Sequence, residues 1–251
     1  MTDDAREVRV DRDGPVVTVT LDRPAALNAL TPAMLHSLGH VLERVAPESA
    51  VRVVVLTGEG RAFSAGVDLK ALGHVSLEGG AVGALLDEPA RRVTSLLASM
   101  PQITVAKING FCFTGALELA IACDLVVTAD EAKLADTHAK FGLRPSWGMS
   151  QRLIRLLGPA RARELSYTAR TFTGTDAAAW GLAMRSVPAE QLDAAVEEVV
   201  DVVLANSAGS LAAYKDLYSR ALDTGLAEGL EYEATAEYEI DDTDARIASF
   251  R

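Results

Sequence analysis

Ile108-Asn109-Gly110-Phe111-Cys112-Phe113-Thr114-Gly115-Ala116-Leu117-Glu118-Leu119-Ala120-Ile121-Ala122-Cys123-Asp124 is the stretch around which the chain is organised. Runs rich in β-branched residues flank it, Ile103 to Ile108 before and Leu125 to Thr128 after, and both read as buried strands. Asn109-Gly110 marks a turn, and Gly115 opens an apolar segment that is too short and too apolar for a surface helix. A buried helix N-terminus beside a glycine offers free backbone N–H groups suited to an oxygen that gains negative charge. Glu118 falls in the first turn of that helix. Among Leu117, Leu119, Ala120 and Ile121 its carboxylate would be desolvated unless a cleft reaches it, and desolvation moves a carboxyl toward the general-base range. The plainer reading is a helix-start acid facing the dipole, and this stretch by itself leaves both open.

A second stretch decides between them. Gly60-Arg61-Ala62-Phe63-Ser64-Ala65-Gly66-Val67-Asp68-Leu69-Lys70 follows the apolar strand Val51 to Leu56. Taken in this order, Ala62 to Leu69 and Asn109-Gly110 through Gly115, Glu118-Leu119 and Cys123-Asp124 resemble the crotonase, or enoyl-CoA hydratase/isomerase, superfamily. The resemblance runs from Leu21-Asp22-Arg23-Pro24 and Leu27-Asn28-Ala29-Leu30 to Thr173-Gly174 and Trp180-Gly181-Leu182. It implies an α/β fold with a crotonase-like ββα spiral core over residues 1–190, whose stacked turns feed two roughly perpendicular sheets. A C-terminal helical region over residues 191–251 would then assemble a homotrimer or homohexamer. The resemblance also implies an acyl-CoA thioester as ligand, with an oxyanion hole from the N–H groups of Val67 and Gly115. Glu118 becomes the water-activating base, and Ala65, Gly66, Asp68, Leu69 and Arg23 become substrate or CoA contacts.

Composition bounds the answer independently. A chain of 251 residues with 49% hydrophobic content buries a full core as one domain plus a small appendage. Its net charge of −11 argues against nucleic acid or an anionic membrane surface as partner. An anionic CoA ligand therefore needs local cations, for which Arg23, Arg61, Lys70 and Lys107 lie near the motifs; for each, ordinary solvated charge is the alternative. Cys112 and Cys123 have a spacing that suits no metal site, so a reduced, packed role is expected. His36 and His40 are four apart without a zinc motif around them. Met1 to Arg12 is acid-rich, and no apolar run reaches membrane-spanning length, so a soluble cytoplasmic protein is expected.

Along the chain, Val8 to Val10 and Val16 to Leu21 read as a hairpin joined by Asp11 to Pro15. Thr31-Pro32 starts a helix carrying Met34, Leu35, Leu38, Val41 and Leu42. Gly73 to Leu86 is irregular, Arg91 to Met100 returns to helical spacing, and alternating strands and helices indicate right-handed crossovers. Beyond Leu153 the pattern is helical, broken at Gly158-Pro159, capped again by Thr173-Gly174-Thr175, and ending in an amphipathic stripe over Ala189 to Ala205. Glu228 to Arg251 is strongly acidic, so no cations for CoA are expected from it.

The third informative stretch runs from Ala135 to Leu153. Family members that hydrate enoyl thioesters carry Pro-Glu-x-x-x-Gly-x-x-Pro here, followed by a glycine-rich turn. Gly142, Pro145, Gly148 and Arg152-Leu153 align without a gap, which places His138 where the second catalytic glutamate is expected. Thr137 replaces the proline, and Ser146-Trp147 alters the turn. A histidine can donate or accept a proton near neutrality, so His138 reads either as the proton donor or as an inert pocket residue. The expected reaction is addition of water to a 2-enoyl-CoA, giving 3-hydroxyacyl-CoA. It requires no metal or cofactor beyond the CoA of the substrate. Isomerisation, thioester or C–C hydrolysis, and a non-catalytic acyl-CoA-binding subunit are the alternatives.

Overall fold

The computed structural model describes residues 7–70 and 78–250; part of the expected irregular segment, residues 73–77, lies outside them. The chain opens with strands β1 (Val8–Asp13) and β2 (Val16–Leu21), paired antiparallel from Val8 with Leu21 to Asp13 with Val16. Strand β1 thus runs closer to the turn than the sequence suggests, β2 has the expected bounds, and Gly14 turns with φ +52°. Thr31 caps helix α1 (Pro32–Val45) by accepting from the N–H of Met34 at 3.0 Å, with proline in the first turn. Its Met34, Leu35, Leu38 and Leu42 lie on one buried face, which packs against α2 (Ala84–Ser99). Helix α2 begins before the expected Arg91, because Leu86, Ala90, Val93 and Leu97 continue the buried stripe across Pro89.

Between and beyond these helices the chain repeats one step. Strand β3 (Val53–Gly58) leads into β4 (Ala62–Ser64) and then α2; β5 (Ile103–Ile108) leads into β6 (Phe111–Phe113) and α3 (Gly115–Ala120). Strand β7 (Leu125–Ala129) leads into β8 (Lys133–Ala135) and α4 (Met149–Thr168), which is interrupted at Gly158. Strand β9 (Phe172–Thr173), helix α5 (Gly174–Ala179) and β10 (Arg185–Val187) complete the pattern. Long strands form a sheet ordered β1-β2-β3-β5-β7-β10, and short strands form a second sheet ordered β4-β6-β8-β9. Apart from β1 with β2 and β8 with β9, the pairs are parallel. Each ββα unit therefore feeds both sheets, as the sequence resemblance implies. Strand β3 is buried at every residue, as expected of a parallel strand covered on both faces.

Helix α6 (Leu192–Ala205) covers the large sheet through Leu192, Val196, Val199 and Val200; α7 (Ala208–Asp223), α8 (Leu226–Thr235) and α9 (Thr243–Phe250) follow. Helix α7 is tied to the core by a buried cation. Lys215 Nζ donates to the carbonyls of Leu97 and Gln102 and to Asp124 Oδ2, at 3.0, 2.9 and 2.7 Å. The same Asp124 oxygen accepts from the Thr104 N–H and hydroxyl, so one carboxylate joins β5, the α3–β7 turn and α7. Removing one partner of such a pair leaves an uncompensated buried charge. Asp124→Ala should therefore cost about 3 kcal/mol in urea unfolding, and a loss below about 1 kcal/mol would show that the latch carries little of the fold.

Candidate functional site

Two loops meet at the head of α3, and backbone bonding sets their approach. Residues 65–68 lie along residues 27–30: the Ala65 N–H donates to Leu27 O, Leu30 N–H to Gly66 O and Asp68 N–H to Leu30 O, at 2.9, 2.8 and 3.0 Å. Buried Asn28 fastens this segment by donating to Glu59 O and Ala62 O and accepting from the Arg23 N–H. Gly66, at φ +88°, passes so near the next loop that a Cβ would lie 2.6 Å from Phe113 O. On that loop Thr114 takes φ +54°, ψ −110°, a region L-residues rarely occupy. Its N–H donates to Ala135 O, and its hydroxyl pairs with that of Thr137. The N–H groups of Val67 and Gly115 make no hydrogen bond to other described residues, and both residues line one cavity.

That cavity is also lined by Ala65, Leu69, Glu118, His138, Phe141, Arg144 and Trp147. Glu118 is 1% exposed on α3, which is buried throughout. Its Oε1 accepts from the N–H groups of Trp147 and Met149 at 3.0 and 2.9 Å, at the start of α4. A carboxylate at a helix N-terminus meets both unpaired donors and the positive end of the dipole. Its Oε2 lies 3.5 Å from His138 Nε2. On the other side of the ring, Nδ1 is 2.7 Å from Asp136 Oδ1, and Asp136 Oδ2 accepts from the Ser166 hydroxyl at 2.7 Å.

This line of groups sets the charge of His138. Burial pulls the imidazole pKa down, but the hydrogen bonds and charges of Asp136 and Glu118 outweigh it and raise it from 6.5 to about 9. Burial likewise opposes the charged form of Asp136, yet His138 and Ser166 hold its carboxyl below the usual range. Beneath the turn, Arg152 donates to Trp147 O at 3.0 Å; burial lowers its pKa and the charge of Glu118 opposes that. The arrangement is a cationic imidazole between two carboxylates, one of which faces the cavity.

The structure brings together Glu118, His138, Val67, Gly115, Ala65 and Leu69. It redirects the others. Gly66 is buried in the close approach of the loops and does not line the cavity. Arg23 turns its guanidinium to Ala29 O, Asp68 Oδ2 and Glu7 Oε1 at 2.6, 3.2 and 2.9 Å, so Arg23 and Asp68 clamp the loop that carries Val67. Lys107 pairs with Asp193, and Arg61 and Lys70 are exposed outside the cavity lining. Among the described residues Arg144 also lines the cavity; it was visible in the third stretch but lacked a reason to face inward. Asp136 is two residues from His138, a spacing that marks it as a partner in retrospect. Asp87 and Ser166 gave no signal, since they reach the site from other elements. Cys112 and Cys123 are free and buried, and burial pushes the Cys123 thiol up to about 12.

The family model for enoyl-CoA hydratase/isomerase matches residues 11–250. A probable peroxisomal enoyl-CoA hydratase of Arabidopsis thaliana is 34% identical over 227 residues, 90% of this chain and 83% of that protein. An enoyl-CoA hydratase structure from Bacillus anthracis superposes with TM-score 0.86 at 32% identity, covering 91% of this chain and 88% of that one. A putative enoyl-CoA hydratase from Thermobifida fusca YX, in complex with CoA, gives TM-score 0.81 at 32% identity, covering 98% and 95%.

Because the folded-state pKa of His138 is raised, its stabilisation is fully present below pH 6.5 and is lost as pH rises through about 9. Asp136→Asn removes the stronger raising contact, so NMR titration of the His138 ring should give a lower midpoint than in the wild type. Equal midpoints would mean that Asp136 does not hold the charge.

Proposed function

The chain belongs to the enoyl-CoA hydratase/isomerase family, and from that membership we propose that it adds water across the double bond of a 2-enoyl-CoA to give 3-hydroxyacyl-CoA. The observation that carries this reading is Glu118, a cavity-lining residue with one oxygen held by two backbone donors and the other beside His138. The thioester oxygen sits against the N–H groups of Val67 and Gly115, which stabilise the enolate as charge moves onto it. Fixed donors in a site closed to water are worth about 3 kcal/mol each.

Glu118 takes a proton from water as the hydroxyl oxygen bonds to C3, and electrons pass through C2 to the thioester oxygen. His138, already cationic, delivers a proton to C2 as the enolate collapses. Glu118 is then protonated and His138 neutral. Their contact lets the proton return from Oε2 to Nε2 for the next cycle, while Asp136 holds the ring in place. These steps use only this chain and a substrate whose CoA is part of the thioester.

Arg144, which lines the cavity, is the cation this reading assigns to the CoA phosphates. The same reading includes assembly as a homotrimer or homohexamer through residues 191–251, supported by the exposed Tyr218, Leu222, Leu226 and Leu230 on α7 and α8. Cytoplasmic placement is part of it as well, in keeping with two unpaired cysteines.

The test is a panel of 2-enoyl-CoA thioesters in heavy-oxygen water, with products read by mass spectrometry. Labelled 3-hydroxyacyl-CoA is expected. A shifted double bond without oxygen label would replace hydration by isomerisation, and free CoA thiol would point to hydrolysis. Glu118→Gln should lower turnover by about 10²–10⁴-fold with similar affinity for a saturated acyl-CoA, and unchanged turnover would remove Glu118 from the chemistry.

A further inference from the structure

The site holds one large side chain whose placement the reaction does not require. Trp147 is 3% exposed, and its indole lies against the backbone at the head of α3. A Cβ built on Gly115 would fall 2.4 Å from Trp147 Cζ3, so this glycine makes the room that the ring fills. The other edge of the indole is anchored. Nε1 donates to Asp87 Oδ1 at 2.8 Å, and the same oxygen accepts from the Ser146 hydroxyl at 2.6 Å. Asp87 is buried in the first turn of α2, an element whose other buried residues face the core. A buried carboxylate bonded to two neighbouring residues of one turn fixes both the turn and the ring it presents.

The remaining space is small. Among the described residues the cavity has a volume of about 110 Å³ and is open on one side, with Trp147, Val82, Leu143 and Phe141 among its walls. Pockets for larger ligands span roughly 300–1,000 Å³.

We propose that Trp147, held by Asp87, walls the acyl cavity and restricts this enzyme to short-chain enoyl thioesters. The proposal rests on the acyl-CoA reading above and names the substrate class within it. Trp147 is the specificity-determining wall, and Asp87 is a positioning residue that acts through it.

The experiment compares kcat/KM for four-, six-, eight- and ten-carbon 2-enoyl-CoA in the wild type and in Trp147→Ala, Asp87→Ala and Asp87→Asn. The wild type should prefer four carbons over ten by at least roughly 100-fold, since rejection accumulates with each methylene that does not fit. Trp147→Ala should raise the ten-to-four ratio at least roughly tenfold, and Asp87→Ala should raise it by a smaller factor. Asp87→Asn keeps an acceptor oxygen for both donors and should retain the short-chain preference, which a merely structural loss of stability would not explain. A wild type that handles ten carbons as well as four overturns the proposal, and so does a ratio that moves in neither Trp147→Ala nor Asp87→Ala. If Trp147→Ala fails to fold, the Asp87 pair decides. If no enoyl thioester is hydrated at any length, hydration fails separately, and calorimetric binding of butyryl-CoA and decanoyl-CoA still reads the wall. Binding of butyryl-CoA alone supports it; equal binding, or none of either, overturns it.

Discussion

A carboxylate that is 1% exposed must find partners inside the protein, and Glu118 finds them in the N–H groups of Trp147 and Met149. An unpaired charge at such a position would cost several kcal/mol, so the contact sets where α4 begins and how the turn before it runs. From that turn come Trp147 as a cavity wall and Arg152 beneath it. Glu118 also fixes the charge next to it, because His138 is cationic through its position between Glu118 and Asp136.

The side of the cavity that carries Val67 and Gly115 depends on backbone conformation rather than on charge. Thr114 adopts a conformation that ordinarily belongs to glycine, and the carbonyl of Ala135 and the hydroxyl of Thr137 hold it there. Strain of this kind persists only where surrounding contacts overdetermine it. The Gly115 N–H that follows makes no hydrogen bond to other described residues, as is true of Val67, and both residues line the cavity. The Val67 loop is held from the far side by Asn28 and by the Arg23 pair with Asp68. Both loops are thus held by contacts within the fold itself.

A histidine in place of a second carboxylate changes the proton accounting. Two neighbouring carboxylates share protons because they repel one another, whereas a carboxylate and an imidazolium attract, and each stabilises the other's charged form. Asp136 and Ser166 then extend the line away from the cavity and prevent the ring from turning.

The sequence by itself determined the alternating elements, the two glycine-bearing loops that meet at the head of α3, Glu118 on its short buried helix and the stretch that carries His138. Those features follow from local patterns: β-branched runs, glycines where the backbone turns or packs closely, and an acid in an apolar helix. Folding decided which cations line the cavity. Arg23 sits in a motif yet is spent on Glu7 and Asp68, while Arg144 lines the cavity; side-chain direction depends on which neighbours other elements bring. Folding also decided that Asp87, some sixty residues before Trp147, would anchor the ring, because α2 and the α4 turn meet only when both sheets are assembled. Contacts of that range leave no periodicity or spacing in the chain, and so only the tertiary structure could supply them.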